Sequence, residues 1–324
     1  MKFDLGKGQS VAVRQAFLET YGGRTIEFNN SDLLNFNYPE YLGDVELIKM
    51  TKEIIERQTG NTYKHVFLTN GATGGVVISL RAYKQMGITR CITRKPPYYV
   101  KYPTMIQAAG LPMVPGLENV SAQGNVLLLD IPSNPLGISD EISNLQNAHV
   151  ILDGVYFNHI YRSISYPTQK HNILVGSYSK LTGINGLRVG WIATNSDHIA
   201  KKISNLVTAE YCGLSLADTQ ILKKILTNFN WDMFEILGRA KLDCNRTEWQ
   251  KLERFFGNVE VSPNGMFQYA PIDRKCRELL IKSEINWTSG QDLGTSEDFG
   301  RFNIGQDNQL IKQAVKAMLK NDRK

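Results

Sequence analysis

Short apolar runs alternate with amphipathic stretches along the first two thirds of the chain. Residues 46–60 have apolar side chains at helical spacing and end in glycine, which predicts a helix with its C-terminal stop. HVFLTNG then predicts a strand, and ATGGVVISLRAYKQMG predicts a second helix. Further strands are predicted at TRCIT, NVLLLDIP, HVILDG, NILVGSY and RVGWIAT. This alternation indicates an α/β fold whose mainly parallel sheet is covered by helices on both faces.

The pattern changes after about residue 197, where longer helical stretches predominate. AKKISNLVTAEY, DTQILKKILTNFN and residues 231–256 predict helices. VEV at 259–261, GMFQYAPI and GRFNIG predict strands, and a last helix is expected from about Asn308. We therefore predict a large domain over residues 37–230 and a smaller α+β domain formed by residues 1–36 and 231–324.

Composition and charge narrow the possible partners and compartment. The chain has 324 residues and a net charge of +6, with its basic residues spread along the sequence. Because no zinc-finger, helix-turn-helix or RNA-binding pattern accompanies this charge, we expect no nucleic-acid partner. The 4 cysteines show no CxxC spacing and the 5 histidines show no metal-ligand spacing. No signal peptide and no apolar run of ~20 residues is recognisable. We expect a cytoplasmic protein with reduced thiols, no metal and no membrane contact.

Several polar groups follow the ends of predicted strands, where α/β sheets place their chemistry. LTNGAT passes directly from a strand into a helix, so the backbone N–H groups of Ala72 and Thr73 could bind an anion, although the segment taken alone is better explained as a plain strand-to-helix turn. Asp153 ends a strand that reads as buried, and Tyr156 follows it. A buried carboxylate needs a positive or hydrogen-bonding partner.

Other candidate groups lie in three stretches between these strands and after them. SNPLG places Asn134 in a turn, and RKPPYYVKYP supplies tyrosines for an aromatic wall or for the core. GSYSKLTGINGLRVG surrounds a strand end with Ser177, Ser179, Lys180 and Arg188. A surface loop could contain these residues by chance, but an anion-binding site with a reactive amine needs the same ones.

Together these groups match what pyridoxal phosphate (PLP) requires. A lysine forms a Schiff base with the cofactor aldehyde. A carboxylate against the pyridine nitrogen favours its protonated form, the electron sink for a carbanion at the substrate α-carbon. No Ser-His-Asp or Cys-His grouping competes with the lysine site.

The chain resembles the fold-type I PLP enzymes of the class I/II aminotransferase family, and within it the histidinol-phosphate aminotransferase-like branch. The resemblance runs from NYPEYLGDVEL through TNGAT, PPYYVKYPTMIQAAG, SNPLG, DGVY and SYSKLTGINGLRVG to GRFNIG. The SxSK…GxRxG element is its most specific part. The family fold has a large domain with a mainly parallel sheet flanked by helices, and a smaller α+β domain.

The resemblance implies a role for each matching residue of the cofactor site. Lys180 would form the internal aldimine and shuttle the α-proton, and Asp153 would pair with the pyridine nitrogen. Tyr156 and Asn134 would hydrogen-bond the phenolic oxygen. Tyr99 would stack on the ring; it is preferred to its neighbour Tyr98 because its spacing to Tyr102 and Gly110 fits the family pattern. The phosphate would be held by Ala72, Thr73, Ser177, Ser179 and Arg188.

Four further residues concern the substrate and the partner subunit. Arg301, in GRFNIG, matches the arginine that grips the substrate α-carboxylate as a bidentate fork, with Asn134 beside it. Arg14 is the next residue to consider if Arg301 is not this clamp. Tyr38, in NYPE, resembles the tyrosine that reaches the phosphate from the neighbouring subunit, and Tyr41 is the alternative. A homodimer is therefore implied.

The resemblance implies an aminotransferase that moves an amino group between an α-amino acid, or a related amine, and a 2-oxo acid. A decarboxylase or a C–S/β-lyase on the same fold stays an alternative, because PLP-binding residues do not determine which α-carbon bond breaks. A non-catalytic PLP-binding protein is a third possibility. The short N-terminal segment GKGQSVAVRQAF departs from the family pattern in a region that selects substrates, so substrate identity is not carried over.

Overall fold

The computed structural model describes residues 2–28, 38–119, 124–138, 148–161 and 172–323. Asn37, the first residue of the NYPEYLGDVEL motif and of the predicted large domain, lies outside these ranges. Among the described residues, no helix combines the length and the apolar character needed to cross a membrane.

A seven-stranded sheet lies at the centre of the described chain, in the order β2-β8-β7-β6-β5-β3-β4. Neighbouring strands from β4 to β7 run parallel, whereas β8 runs antiparallel to both β7 and β2. The prediction of a mainly parallel sheet is therefore confirmed. Its strands are β2 (His65–Asn70), β3 (Arg90–Thr93), β4 (Met113–Pro115), β5 (Asn125–Asp130), β6 (His149–Asp153), β7 (Asn172–Ser177) and β8 (Val189–Thr194).

The alternation of side chains along these strands explains why both faces of the sheet are covered. Leu127 and Leu129 of β5 belong to one buried apolar cluster, whereas Val126 and Leu128 belong to another. Successive strand residues point to opposite faces, so each face packs its own core. The helices are α1 (Val11–Tyr21), α2 (Val45–Thr59), α3 (Gly71–Lys84), α4 (Tyr102–Ala108), α5 (Tyr178–Leu181), α6 (Asp197–Tyr211), α7 (Leu216–Leu226), α8 (Trp231–Gln250), α9 (Arg274–Lys282) and α10 (Asn308–Asp322).

A second, smaller group of strands lies near the end of the chain. Strands β9 (Phe267–Pro271), β11 (Thr288–Ser289) and β12 (Phe299–Asn303) form an antiparallel sheet, and β1 (Phe3–Asp4) pairs in parallel with β10 (Ile285–Asn286). A third buried cluster joins Phe3 and Leu5 to side chains between residues 249 and 318. The chain start thus packs with its end. The domain boundaries at 36/37 and 230/231 stay a prediction.

The structure corrects one predicted strand and adds several elements that the sequence did not predict. VEV at 259–261 is not a strand: the Val259 N–H donates to the carbonyl of Phe256 (3.2 Å), and the Val259 carbonyl accepts from the Gln268 side chain (2.9 Å). These turn and side-chain contacts satisfy the backbone groups that a strand ladder would have used. Helix α1 and the short strand β4 were not predicted.

Candidate active site

A cavity of about 430 Å³ opens at the edge of the sheet where β5, β6 and β7 end. Apart from Tyr38, every residue that the sequence assigned to the site lines it: Ala72, Thr73, Tyr99, Asn134, Asp153, Tyr156, Ser177, Ser179, Lys180, Arg188 and Arg301. The cavity is also lined by residues that the sequence did not single out, including Gly8, Gln9, Tyr102, Asp130 and Asn185.

One end of the cavity brings together several groups that can bind an anion. Helix α3 begins at Gly71 directly after β2, and a Cβ on Gly71 would lie 2.6 Å from Nη2 of Arg188. Arg188 Nη1 donates to the Ser179 hydroxyl (3.0 Å) and to the Asn185 carbonyl (3.2 Å). The Ser177 hydroxyl caps α5 by accepting from the Ser179 N–H (3.1 Å). A helix N-terminus, two hydroxyls and a guanidinium therefore converge here.

Asp153 lies deeper in the cavity as a buried carboxylate with neutral hydrogen-bond donors. The Tyr102 hydroxyl donates to its Oδ2 (3.0 Å), and the Val155 N–H donates to its Oδ1 (3.2 Å). No lysine, arginine or histidine within the described ranges lies within ion-pair distance of it. Burial, with the neighbouring charge of Asp130, raises the pKa of Asp153 to about 7. A cation that binds in the cavity beside Asp153 would therefore be strongly stabilised by the carboxylate form of this residue.

Lys180 follows β7 on the short helix α5 and is partly buried in the cavity wall. Its Nζ donates to the carbonyl of Gly8. Burial, together with the charges of Arg188 and Arg301, lowers the pKa of Lys180 to about 8. The amine thus reaches its neutral, nucleophilic form at a much lower pH than an exposed lysine does.

Arg301 of β12 is buried in the wall of the cavity. Its Nη1 donates to Oδ1 of Asn134 (3.1 Å), and its Nη2 donates to the Gly6 carbonyl (2.9 Å) and to the Thr288 hydroxyl (3.0 Å). Its guanidinium lies 4.4 Å from the centre of the Phe267 ring. Nε is buried and has no acceptor among the residues that the structure describes, and burial lowers the pKa of this guanidinium. An anionic ligand could accept from the unpartnered Nε.

Aromatic rings line the space between these groups. Tyr99 packs edge-on against Tyr102, with ring centres 5.5 Å apart, and Tyr156 packs edge-on against Phe267 at 5.7 Å. Burial raises the pKa values of Tyr99 and Tyr156, so both phenols keep their protons at neutral pH. Tyr98, the alternative to Tyr99, does not line the cavity.

The candidates for other roles lie outside this cavity. Tyr38 is 91% exposed and Tyr41 is 54% exposed, and neither lines the cavity. Arg14 is exposed on α1 and does not line the cavity either. Among the described residues, no group of three or more His, Cys, Asp or Glu side chains is placed to hold a metal ion.

Comparison with known proteins identifies the family. The model of the family "Aminotransferase class I and II" matches residues 1–318. An aspartate aminotransferase from Pyrococcus abyssi is 23% identical, over 88% of this chain and 83% of its own length. An L-aspartate:5-guanidino-3-methyl-2-oxopentanoate transaminase from Pseudomonas syringae pv. syringae is 27% identical, over 42% of this chain and 43% of its own length.

Solved structures share the fold. An aminotransferase from Mycobacterium tuberculosis superposes with a TM-score of 0.80 at 17% identity, covering 99% of this chain and 92% of that one. An aromatic aminotransferase from Pyrococcus horikoshii OT3 gives a TM-score of 0.77 at 18% identity, covering 99% and 96%. At such identities these structures show the fold alone. Since the family model spans nearly all of the sequence, the chain belongs to the class I and II aminotransferases, enzymes that transfer amino groups and are generally PLP-dependent.

Proposed function

We propose that this enzyme moves an amino group between an α-amino acid, or a related amine, and a 2-oxo acid, with PLP held covalently at Lys180. One observation carries the proposal: Lys180, Asp153 and Arg301 line the same cavity, whose anion-binding end is formed by the start of α3 and by Arg188. These are an amine, an acid and two cations in the arrangement that the cofactor and an amino acid would need together.

The donor set fits PLP at both of its ends. The N–H groups of Ala72 and Thr73, with Ser177, Ser179 and Arg188, would bind the phosphate. At the opposite end, the buried Asp153 has only neutral donors from the described residues and would accept from a protonated ring nitrogen. Glycine at position 71 leaves the space that Arg188 needs beside the helix start.

The remaining side chains would orient the ring and the substrate. Tyr156 and Asn134 would hydrogen-bond the phenolic oxygen, and Tyr99 would cover a face of the ring. Bound PLP would supply an electron sink for the electron pair left at the substrate α-carbon. Lys180 would take the proton from that carbon and return it, which its lowered pKa of about 8 permits near neutral pH.

Arg301 is the residue on which we base the substrate class. A substrate carboxylate would accept from its guanidinium, held in place by Asn134 and Thr288. The order of the sequence motifs supports placement in the histidinol-phosphate aminotransferase-like branch. The names of two matched relatives refer instead to aspartate. The amino-group donors used to test the function should therefore include aspartate as well as histidinol phosphate.

We further infer a homodimer in which Tyr38 of one subunit reaches the phosphate bound by the other. Tyr38 projects from its own subunit with 91% of its surface exposed, and Tyr41 nearby is the alternative. A phenol on a neighbouring copy would add a hydrogen-bond donor to the anion-binding end of the cavity.

Half-reactions followed by absorbance test the function. A panel of amino acids is added singly to the PLP-loaded protein, and 2-oxo acids are then added in turn. We expect at least one amino acid to convert the cofactor to its pyridoxamine form with release of an equal amount of 2-oxo acid, and a 2-oxo acid to reverse this. Release of CO2 or of a β-leaving group without the pyridoxamine form would indicate the lyase alternatives, and no change with any donor would favour a non-catalytic binder.

A further inference from the structure

Two buried carboxylates end neighbouring strands at the floor of the cavity. Asp130 is the last residue of β5 and Asp153 is the last residue of β6, and they are register partners in the parallel pair. Their exposed fractions are 6% and 7%, and both line the cavity. Two carboxyl groups this close cannot both be ionised without a large cost in free energy. One of them must therefore stay protonated or be paired with a cation.

The contacts show that Asp130 is the ionised member. Its Oδ1 accepts from Nη1 of Arg94 (2.7 Å), and its Oδ2 accepts from the backbone N–H of Asn134 (2.7 Å). The same arginine nitrogen donates to the Asp130 carbonyl (2.9 Å), so Arg94 is fixed at this position. A charged donor and a short N–H contact favour the carboxylate form more than the two neutral, longer contacts of Asp153 do.

Among the ionisable groups that face Asp153, Asp130 acts against its charge, whereas the hydrogen bond from Tyr102 acts in favour of it. Asp130 faces it from β5, Tyr102 and Tyr99 from α4 and the residues before it, and Tyr156 from the turn after β6. The phenols are neutral at physiological pH, and Lys180 and Arg301 lie elsewhere on the cavity wall. The raised pKa of Asp153 agrees with this arrangement.

We propose that Asp130, with Arg94 as its counterion, is a positioning residue that keeps Asp153 protonated until a cation faces it from the cavity. The inference rests on the proposed function for its purpose: Asp153 would give its proton to the cofactor's ring nitrogen and become the carboxylate that holds it there. The proton leaves a carboxyl oxygen and arrives on the nitrogen, so the pair changes from neutral–neutral to an ion pair inside the cavity. Asp130 thereby ensures that Asp153 has a proton to give, without touching the ring itself.

The test is an infrared pH titration of the full-length protein, with and without PLP. In the cofactor-free wild type, a protonated carboxylic acid band should titrate near pH 7, and Asp153→Asn should remove it. Asp130→Asn should lower that midpoint by about one pH unit or more, because a neighbouring negative charge is gone. Loading wild-type protein with PLP should remove the band across the same pH range.

Two further variants keep the result interpretable. Asp130→Ser removes the same charge while leaving a hydroxyl oxygen that can accept from the Asn134 N–H, so it replaces Asp130→Asn if that variant folds poorly. Asp243→Asn is the matched control. It removes the carboxylate that pairs with the buried Arg246 (2.7 Å), and because this pair does not line the cavity the midpoint should stay unchanged.

A midpoint in Asp130→Asn or Asp130→Ser equal to that of the wild type would overturn the proposal. A wild type that binds no PLP would overturn the proposed function instead, while the cofactor-free midpoints would still decide the role of Asp130.

Discussion

Arg301 combines full burial of its charge with an incomplete set of hydrogen bonds. Its terminal nitrogens are held by Asn134, Gly6 and Thr288, whereas Nε finds no acceptor in the described part of the chain. Arg301→Lys should weaken binding of α-amino acids roughly ten- to hundredfold, because an ammonium cannot reproduce the planar fork of donors. Substrate titrations of the half-reaction would measure this change.

Amines that lack a carboxylate provide the control for Arg301→Lys, since their binding should not change. Arg246→Lys is the matched control variant, because Arg246 is also buried but bonds Asp243 and the Gly265 carbonyl away from the cavity. Unchanged affinity of Arg301→Lys for every amino acid substrate would place the carboxylate clamp elsewhere.

Lys180 should destabilise the cofactor-free protein at neutral pH. Its pKa is about 8 when folded against an ordinary value of 10.5, so the folded state disfavours the charged form. This cost is present in full below about pH 8 and disappears as the pH rises through 10.5. Lys180→Met should therefore raise the free energy of unfolding by roughly 3 kcal/mol at pH 7 and by much less near pH 10.5. Urea unfolding at the two pH values measures the difference.

Lys223→Met is a control for which the expected change in stability at pH 7 has the opposite sign. Although burial acts against its charge, contacts with Glu46 (2.9 Å) and Asp44 (3.0 Å) raise its pKa above the ordinary value. Lys223→Met should lower stability at pH 7. If Lys180→Met lowers stability at pH 7 in the same way, Lys180 is not a strained, buried cation.

The start of helix α3 connects a strand of the sheet to the anion-binding end of the cavity. Gly71 has a φ of 64°, and a Cβ there would lie 2.6 Å from Nη2 of Arg188. Gly71→Ala should therefore displace Arg188 and weaken PLP binding about tenfold or more, as expected for loss of a charge-assisted hydrogen bond. Cofactor affinity measured by absorbance titration checks this.

Gly60, the C-cap of helix α2, is the matched control for Gly71. It has a φ of 70°, but a Cβ there would meet no atom within 4 Å. Both alanine variants should lose about 1 kcal/mol of stability from the left-handed backbone. Only Gly71→Ala should lose cofactor affinity, and equal affinities in the two variants would contradict the proposed role of this helix start.

The sequence predicted the strands of the central sheet well because those strands are short apolar runs bounded by turn residues. It missed β4, a three-residue strand that ends in proline, and α1, which lies before the first of the motifs on which the resemblance rests. It also missed Asp130 and Tyr102 as partners of the site. Asp130 lies beside Asp153 only through the register of two strands, and Tyr102 reaches Asp153 from a separate helix, so neither contact follows from local pattern.

The assembly of two chains can be tested by mixing two defective variants. Tyr38→Phe retains Lys180, and Lys180→Ala retains Tyr38. If Tyr38 acts across the dimer, a mixed dimer contains one site with both residues, and activity should return when the subunits are exchanged. The same mixture made with Tyr41→Phe in place of Tyr38→Phe tests the alternative tyrosine. Failure of both mixtures to exceed the separate variants would exclude a shared site built on either tyrosine.

Borohydride reduction of the purified protein, followed by peptide mapping, tests the assignment of Lys180 most directly. The PLP-loaded protein should be yellow, and reduction should fix the cofactor to a single peptide that contains Lys180. Lys180→Ala should give no labelled peptide, yet it should still bind PLP through Ser177, Ser179, Arg188 and the start of α3. A label on any other lysine of the wild type, or no label on a protein that has bound PLP, would contradict the proposed site.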